Sequence, residues 1–141
     1  MRVMVFVKPY GAAPGDQMPT ADELATMGKF NDELIAAGVM IDGAGLHPIA
    51  KGARIDFTGN KATVLDGPFA ETKEITGGYW IWKVESLDDA IAWARKAPMG
   101  GASLELRPFF EPEDFAGIAT PEMVEEEVRW REDQLAKRPR S

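Results

Sequence analysis

The chain has 141 residues, with 23 acidic and 16 basic side chains and a formal net charge of −7 at pH 7. This length suits one domain with its own core, and the excess negative charge opposes binding to phosphate backbones, so we expect no nucleic-acid partner. Cysteine is absent and His47 is the single histidine. Disulfides, thiolate nucleophiles and zinc sites made of cysteines or several histidines are therefore excluded, and we expect no metal.

The apolar start of the chain does not resemble a targeting segment. The run from Met1 to Val7 is short, and Lys8-Pro9 interrupts it before a small-residue cleavage site. No later run approaches the roughly 20 apolar residues of a membrane-spanning helix. We expect a cytoplasmic protein that has no membrane association.

Two predicted strands, at 3–7 and 78–85, are apolar on both sides. In the second strand, Tyr79 and Ile81 alternate with Trp80 and its neighbours, so both faces favour burial. Two helices cover only one face of a sheet. The second apolar face therefore predicts a homodimer joined through sheet faces or edges.

The helix signals are local and clear. Thr20 and Glu23 form a predicted capping box at the start of the first helix, and Gly38 is a predicted left-handed residue at its end. Ser86 and Asp89 form a second predicted box. The predicted buried stripes are Leu24, Met27, Leu34 and Ile35 in the first helix, and Leu87, Ala90, Ile91 and Ala94 in the second.

A hairpin is predicted between the second strand and the strand at 78–85. Its arms are 54–57 and 62–65, and its turn is 58–61. A last strand at 102–109 places Ser103, Glu105 and Arg107 on one polar face. The order β-α-β-β-β-β-α-β predicts an α+β ferredoxin-like sandwich, an antiparallel sheet with helices on one face and an inserted hairpin.

Composition changes after this domain. We predict an α+β domain over 1–110, then an acidic linker and a C-terminal helical extension over 111–141. Thr120 and Pro121 are typical of a helix start, and the helix is predicted to reach about Lys137. Two alternatives stay open for this helix: it binds a partner, or it docks through Met123, Val128, Trp130 and Leu135.

The most specific stretch is 66–74, Asp-Gly-Pro-Phe-Ala-Glu-Thr-Lys-Glu, which Gly77-Gly78-Tyr79-Trp80 soon follows. Asp66-Gly67-Pro68 predicts a rigid turn, because proline fixes its own φ and restricts the residue before it. The stretch resembles the DGPF group of the YCII-related proteins. That resemblance implies a dimeric ferredoxin-like fold.

His47 is the natural general acid or base, since histidine is the side-chain type whose unperturbed pKa lies near neutrality. Asp66 is its predicted carboxylate partner, and both are candidate catalytic residues. The structural alternatives are a hydrogen-bonded histidine at a strand end and an aspartate that bonds the backbone of its own turn.

Five further side chains are candidate ligand contacts. Lys73 would neutralise an anion, Arg107 would bind a carboxylate, and Trp82 would line a pocket, although two tryptophans two residues apart on a strand also suit a core or an interface. The full candidate set is Phe69, Glu71, Lys73, Trp82 and Arg107.

Two classes of function follow. The first is a protein that binds a small organic molecule near the 66–74 stretch, with lyase, isomerase or dehalogenase-like proton transfer by His47 and no cofactor; some YCII-related proteins resemble lactone dehalogenases. The second is a non-catalytic sensor or regulatory module. The resemblance suggests an association with extracytoplasmic-function sigma factors for that class.

Overall fold

A computed structural model describes residues 1–9, 19–66 and 76–137 of the chain. The predicted element order, including the inserted hairpin, is confirmed. Two short 3-10 turns, Ile49–Lys51 and Pro112–Phe115, add to it. The strands and helices are β1 (Arg2–Pro9), α1 (Ala21–Ala36), β2 (Met40–Gly45), β3 (Ala53–Thr58), β4 (Lys61–Asp66), β5 (Gly78–Lys83), α2 (Leu87–Ala94), β6 (Ala102–Pro108) and α3 (Pro121–Ala136).

Four strands form one antiparallel sheet in the order β2-β5-β1-β6, and β3 pairs with β4 in a separate two-stranded hairpin. The chain divides into two compact units, Met1–Pro108 and Phe109–Ser141. The predicted ferredoxin-like α+β fold is thus confirmed in the first unit. Among the described helices, none combines the length and apolar character needed to cross a membrane.

The core lies between one face of the sheet and the first two helices. Trp82 is fully buried and Trp80 is 4% exposed. The Phe30 ring from α1 meets the Trp80 ring edge-on, with 5.7 Å between centroids, and Trp80 Nε1 donates to Asn31 Oδ1 at 2.9 Å. The buried core residues are Val3, Val5, Phe30, Leu34, Val39, Trp80, Trp82, Val84 and Ala90.

The predicted ends of α1 are confirmed. Thr20 Oγ1 accepts a hydrogen bond from Glu23 N at 3.1 Å. At the other end, Gly38 has φ +72°, and Val39 N donates to Leu34 O at 2.9 Å, which closes a Schellman motif. Because these signals act over a few residues, the sequence is sufficient to locate them.

Two glycines of this region should respond oppositely to alanine. Gly38→Ala should lower the free energy of unfolding by about 1 kcal/mol, because an L side chain is strained at φ +72°. Gly28→Ala, inside α1 with nothing within 4 Å of the added Cβ, should raise it by about 0.5–1 kcal/mol. Urea denaturation measures both, and equal signs would contradict the assignment.

The predicted buried stripes are wrong in part. Leu24 and Ile35 are each 59% exposed, and the buried residues of α1 are Phe30 and Leu34. Leu87 and Ile91 of α2 are also exposed, at 38% and 39%. The buried side of α1 is the one that meets the tryptophans of β5 through Phe30, and the pattern of a single helix does not contain that information.

The second unit holds α3 and the turn before it. Thr120 Oγ1 accepts from Met123 N at 3.2 Å, which confirms the predicted helix start. The Phe110 and Phe115 rings pack with centroids 5.2 Å apart. Trp130 is 60% exposed, as is Met123, and both alternatives for this helix stay predictions. The side chain of Leu135 lies outside the described residues.

Candidate functional site

His47 lies just beyond β2, at the end of the sheet where β5 begins. Leu46 N donates to Gly77 O at 3.0 Å, and Gly77 N donates to Val7 O at 2.8 Å. These bonds continue the ladder past the named strands and hold the residue before His47 against the start of β5. The imidazole is exposed. A proton donor or acceptor is therefore accessible at this end of the sheet.

Asp66 is the last residue of β4, exposed, and pairs across the hairpin with Ala53. Within the described ranges, His47 forms no hydrogen bond or ion pair with a carboxylate. The pairing of His47 with Asp66 therefore stays a prediction. Phe69, Glu71 and Lys73 lie outside the described residues, and their role rests on the sequence alone.

The two remaining candidates lie on opposite faces of the sheet. Trp82 is fully buried in the core, packed beside Trp80 with 5.6 Å between ring centroids. Trp82 was predicted either to line a pocket or to lie in a core or interface, and it lies in the core. Arg107 is exposed on β6 and shares the face opposite the core with Glu105, as predicted.

We call the sheet surface opposite the core the open face, since both described helices of the first unit pack on the other side. Its centre is an apolar floor of four half-buried side chains. Phe6 stands opposite Tyr79 in the β1–β5 register, and Met4 stands opposite Ile81. The apolar floor consists of Met4, Phe6, Tyr79 and Ile81.

One margin of the floor carries a phenol–carboxylate pair. The Tyr79 hydroxyl donates to Asp42 Oδ2 at 3.3 Å, and Gly43 N donates to Asp42 Oδ1 at 2.9 Å. The β2–β5 register shifts between Met40 and Asp42. A bulge of this kind re-aims a side chain, and bulges are frequent next to active sites. Asp42 was not among the predicted site residues, and its local sequence signal is its place directly before Gly43.

The opposite margin carries basic and acidic groups. Lys8 Nζ lies 3.3 Å from Glu105 Oε1, with the lysine side chain 15% exposed and the glutamate 44%. Arg107 stands opposite Met4 in the β1–β6 register. Arg107 makes no hydrogen bond or ion pair within the described part of the chain. Its exposed guanidinium lies on the same face as the floor.

Two shallow depressions lie elsewhere. One, of about 270 Å³, is lined by Met123, Glu126, Glu127 and Trp130 on α3. The other, of about 200 Å³, is lined by residues of α1 and of the segment after α2. Neither is lined by a described candidate site residue, so the open face is the better candidate.

The comparison with protein families decides the identity of the fold. A family model of the YCII-related domain matches residues 1–112, most of the chain. This chain belongs to the YCII-related domain family. The predicted resemblance is confirmed at that level, and membership of the DGPF group within it stays a prediction.

One individual relative matches this YCII-related chain over a shorter stretch than the family model does. An uncharacterized protein of Rhizobium meliloti (strain 1021) is 36% identical over 77 residues, covering 52% of this chain and 62% of that protein. The matched part thus spans less than two thirds of the relative.

A solved structure, 5-chloro-2-hydroxyhydroquinone dehydrochlorinase (TftG) from Burkholderia phenoliruptrix AC1100 in complex with 2,5-dihydroxybenzoquinone, is 14% identical with a TM-score of 0.47. The match covers 81% of this chain and 98% of the dehydrochlorinase chain. Similarity at this level transfers no activity to the YCII-related chain.

Proposed function

We propose that this protein, as a homodimer, binds a small organic molecule on the open face, at the end of the sheet where His47 lies, and acts on it by proton transfer. The observation that supports the proposal is the arrangement of the open face. An apolar floor lies between the Tyr79–Asp42 hydrogen bond and the guanidinium of Arg107, which has no hydrogen-bond or ion-pair partner among the described residues. Ligand sites combine such apolar surface with a few placed polar groups.

The arrangement favours a small cyclic or aromatic acid. Adjacent strands lie about 4.8 Å apart, and Arg107 stands level with Ile81, two residues along from Tyr79, so the backbone positions of Tyr79 and Arg107 are separated by about 12 Å. A ring could rest on Phe6 and Met4 while its carboxylate accepts hydrogen bonds from Arg107. At the other end, the Tyr79 hydroxyl oxygen can accept a hydrogen bond from a ligand hydroxyl, because its own proton is directed to Asp42.

The chemistry proposed for His47 is removal of a proton from a carbon next to a ligand carbonyl. The C–H electron pair then forms a double bond, and a leaving group on the adjacent carbon departs with its bonding pair, as in a lyase or a dehalogenase-like elimination. Return of the proton to another carbon gives an isomerase instead. Asp66 is the carboxylate proposed to orient the imidazole ring of His47. Glu71 is a second candidate for this role, chosen from the sequence.

The second candidate function is a non-catalytic sensor or regulatory module, of the kind that would act with a sigma factor. One observation favours it. His47 has no carboxylate partner among the described residues, whereas an effective general base is usually oriented by one. Ligand binding without turnover is the expected behaviour of such a module.

Binding is tested by thermal shift and calorimetry with a panel of small aromatic acids, aliphatic acids and lactones. For a carboxylate that binds, Arg107→Gln should weaken affinity about 10- to 100-fold, because a charge-assisted hydrogen bond is worth about 1.5–3 kcal/mol. The control is Arg95→Gln, at the exposed end of α2, which should change affinity less than twofold. Equal affinities for both variants would contradict the proposed carboxylate position.

His47→Asn separates the two candidate functions. If His47 is the general base, the substitution should abolish turnover of a bound compound while its affinity changes less than about threefold, because proton transfer contributes about 10²–10⁴-fold to the rate and little to binding. Product formation is followed by chromatography. Turnover that survives in the variant, or ligands that bind the unaltered protein and are never converted, would favour the regulatory module.

A further inference from the structure

The C-terminal helix α3 lies beyond the family domain and outside the core. The match to the YCII-related family model ends at residue 112, and α3 begins at Pro121. Among the described residues, the buried core lies between Val3 and Ala90 in the chain, so α3 supplies none of it. Most helices in proteins are stabilised by packing an amphipathic face on another surface. α3 is therefore an addition to the family fold, and its exposed surface is open to a separate role.

One side of α3 carries exposed apolar side chains together with acidic ones. These residues follow the i, i+3, i+4, i+7 spacing of a single helix face and line the depression of about 270 Å³. We call them the acidic-aromatic stripe: Met123, Glu126, Glu127 and Trp130. Met123 and Trp130 are each 60% exposed. The stripe extends about 10 Å along the helix, since each residue adds about 1.5 Å.

The two glutamates of the stripe differ in their partners. Arg131 Nη2 donates to Glu127 Oε1 at 2.8 Å, so Glu127 is already paired within the helix. Glu126 forms no hydrogen bond or ion pair with another described residue. Its position lies one turn from Met123 on one side and one turn from Trp130 on the other. A carboxylate between two exposed apolar side chains is complementary to a cation on an apolar stem, as in lysine and arginine.

The charge around the start of α3 is of one sign. From Glu111 to Glu127 the chain has seven acidic and no basic side chains. The basic side chains of the second unit begin only at Arg129. A surface field of one sign attracts segments of the opposite sign and raises their rate of association. The charge of this region therefore favours a basic partner.

We infer that the acidic-aromatic stripe binds a basic amphipathic segment of another protein. An apolar residue of that segment packs on Met123, and a lysine or arginine lies over the Trp130 ring with its charge paired to Glu126, which combines a cation–π contact with a charge-assisted hydrogen bond. A small molecule fits the stripe less well. All the lining residues belong to one helix, which cannot enclose most of a ligand's surface as ligand pockets do. The inference does not rest on the proposed site on the open face.

The first test measures peptide binding to the full chain by fluorescence anisotropy. The probes are labelled synthetic peptides with leucine and arginine at helical spacing, in several registers, and a matched peptide has glutamate in place of each arginine. The basic peptides should bind, with an affinity that falls as salt is added, because salt screens exposed charges. Failure of every basic peptide to bind at millimolar concentration, or equal binding of the acidic peptide, would overturn the inference.

Substitutions on α3 locate the contact. Trp130→Ala should weaken peptide binding at least about 10-fold, because a tryptophan at the centre of an interface is a typical hot spot. Glu126→Lys should weaken it about 10-fold by turning an attraction into a repulsion. The control is Glu132→Lys, which makes the same change at an exposed position on the side of α3 opposite Met123 and should have less than about a twofold effect. Equal effects of the two lysine variants would mean that only net charge matters, against the inference.

The second test asks whether the stripe is open in the full chain, which contains no cysteine. Met123→Cys introduces a single thiol, which should react with a maleimide about as fast as the thiol of the control variant Glu132→Cys. The basic peptide should slow the reaction at position 123 and leave the reaction at position 132 unchanged. Slow reaction of Met123→Cys without peptide would mean that the chain itself covers the stripe, or a second copy if the protection rises with protein concentration. Either result would overturn the inference.

Discussion

Trp82→Ala is expected to lower the free energy of unfolding by about 3–5 kcal/mol. Trp82 is fully buried and packs against Trp80 and Phe30, with the Phe30 and Trp82 ring centroids 6.4 Å apart. Removing the indole leaves a cavity between the sheet and α1, because the neighbouring rings are held by the strand and the helix and cannot collapse into it. Urea denaturation followed by far-ultraviolet circular dichroism measures the loss.

The matched control is Trp130→Ala on α3, where the tryptophan is 60% exposed. Its removal should change the free energy of unfolding by less than about 0.5 kcal/mol. Both measurements need the same protein concentration, because the stability of the predicted homodimer would depend on concentration. A cost below about 1 kcal/mol for Trp82→Ala would show that the tryptophan is not a core residue and would reopen its role as a ligand contact.

Gly43→Ala should destabilise the protein by about 1–3 kcal/mol, which is the usual cost of an overpacked core. An added Cβ would lie 2.6 Å from Trp80 Cδ1 and 3.0 Å from Met40 Cε. The thioether end of Met40 can move, but the Trp80 indole is buried and its Nε1 is bonded to Asn31. The backbone of β2 would have to shift away from β5.

Gly45→Ala provides the control in the same strand. Nothing lies within 4 Å of the Cβ added at Gly45, so this substitution should be neutral or slightly stabilising. The difference between the two alanine variants isolates the contact with Trp80 from general effects of glycine in a strand. Equal stability of the two would contradict the close packing of β2 over that indole.

The packing of Trp80 against the backbone at Gly43 bears on why the sequence did not predict the pair of Asp42 and Tyr79 at the margin of the open face. Glycine at position 43 leaves room for the core indole of Trp80 beside the backbone of β2. Asp42, the neighbour whose carboxylate reaches the open face, gave no comparable signal. Its partner Tyr79 lies 37 residues further along the chain. A contact over that separation depends on strand register and on the bulge in β2.

The burial of α1 shows the same difference between local signals and contacts with distant residues. The caps at Thr20 and Gly38 followed from residues within one or two turns, so the sequence located both ends of α1. The sequence did not predict which side of that helix is buried, because Leu24 and Ile35 are as apolar as Leu34. Only the position of the β5 tryptophans decides that Phe30 and Leu34 face the core.

By itself, the sequence determined the order of elements, the hairpin and its turn, the helix caps and the family. Each depends on short-range backbone preferences or on a contiguous motif, so no distant residue is needed to read it. The tertiary structure decided which of two apolar sheet faces is the core, that Trp82 is buried, and that Asp42 and Tyr79 meet. It also showed that Ile55, Phe57 and Val64 of the hairpin are exposed with respect to the described residues. Those outcomes depend on the register and layering of distant strands, because alternation along one strand assigns side chains to two faces without saying which face the helices cover.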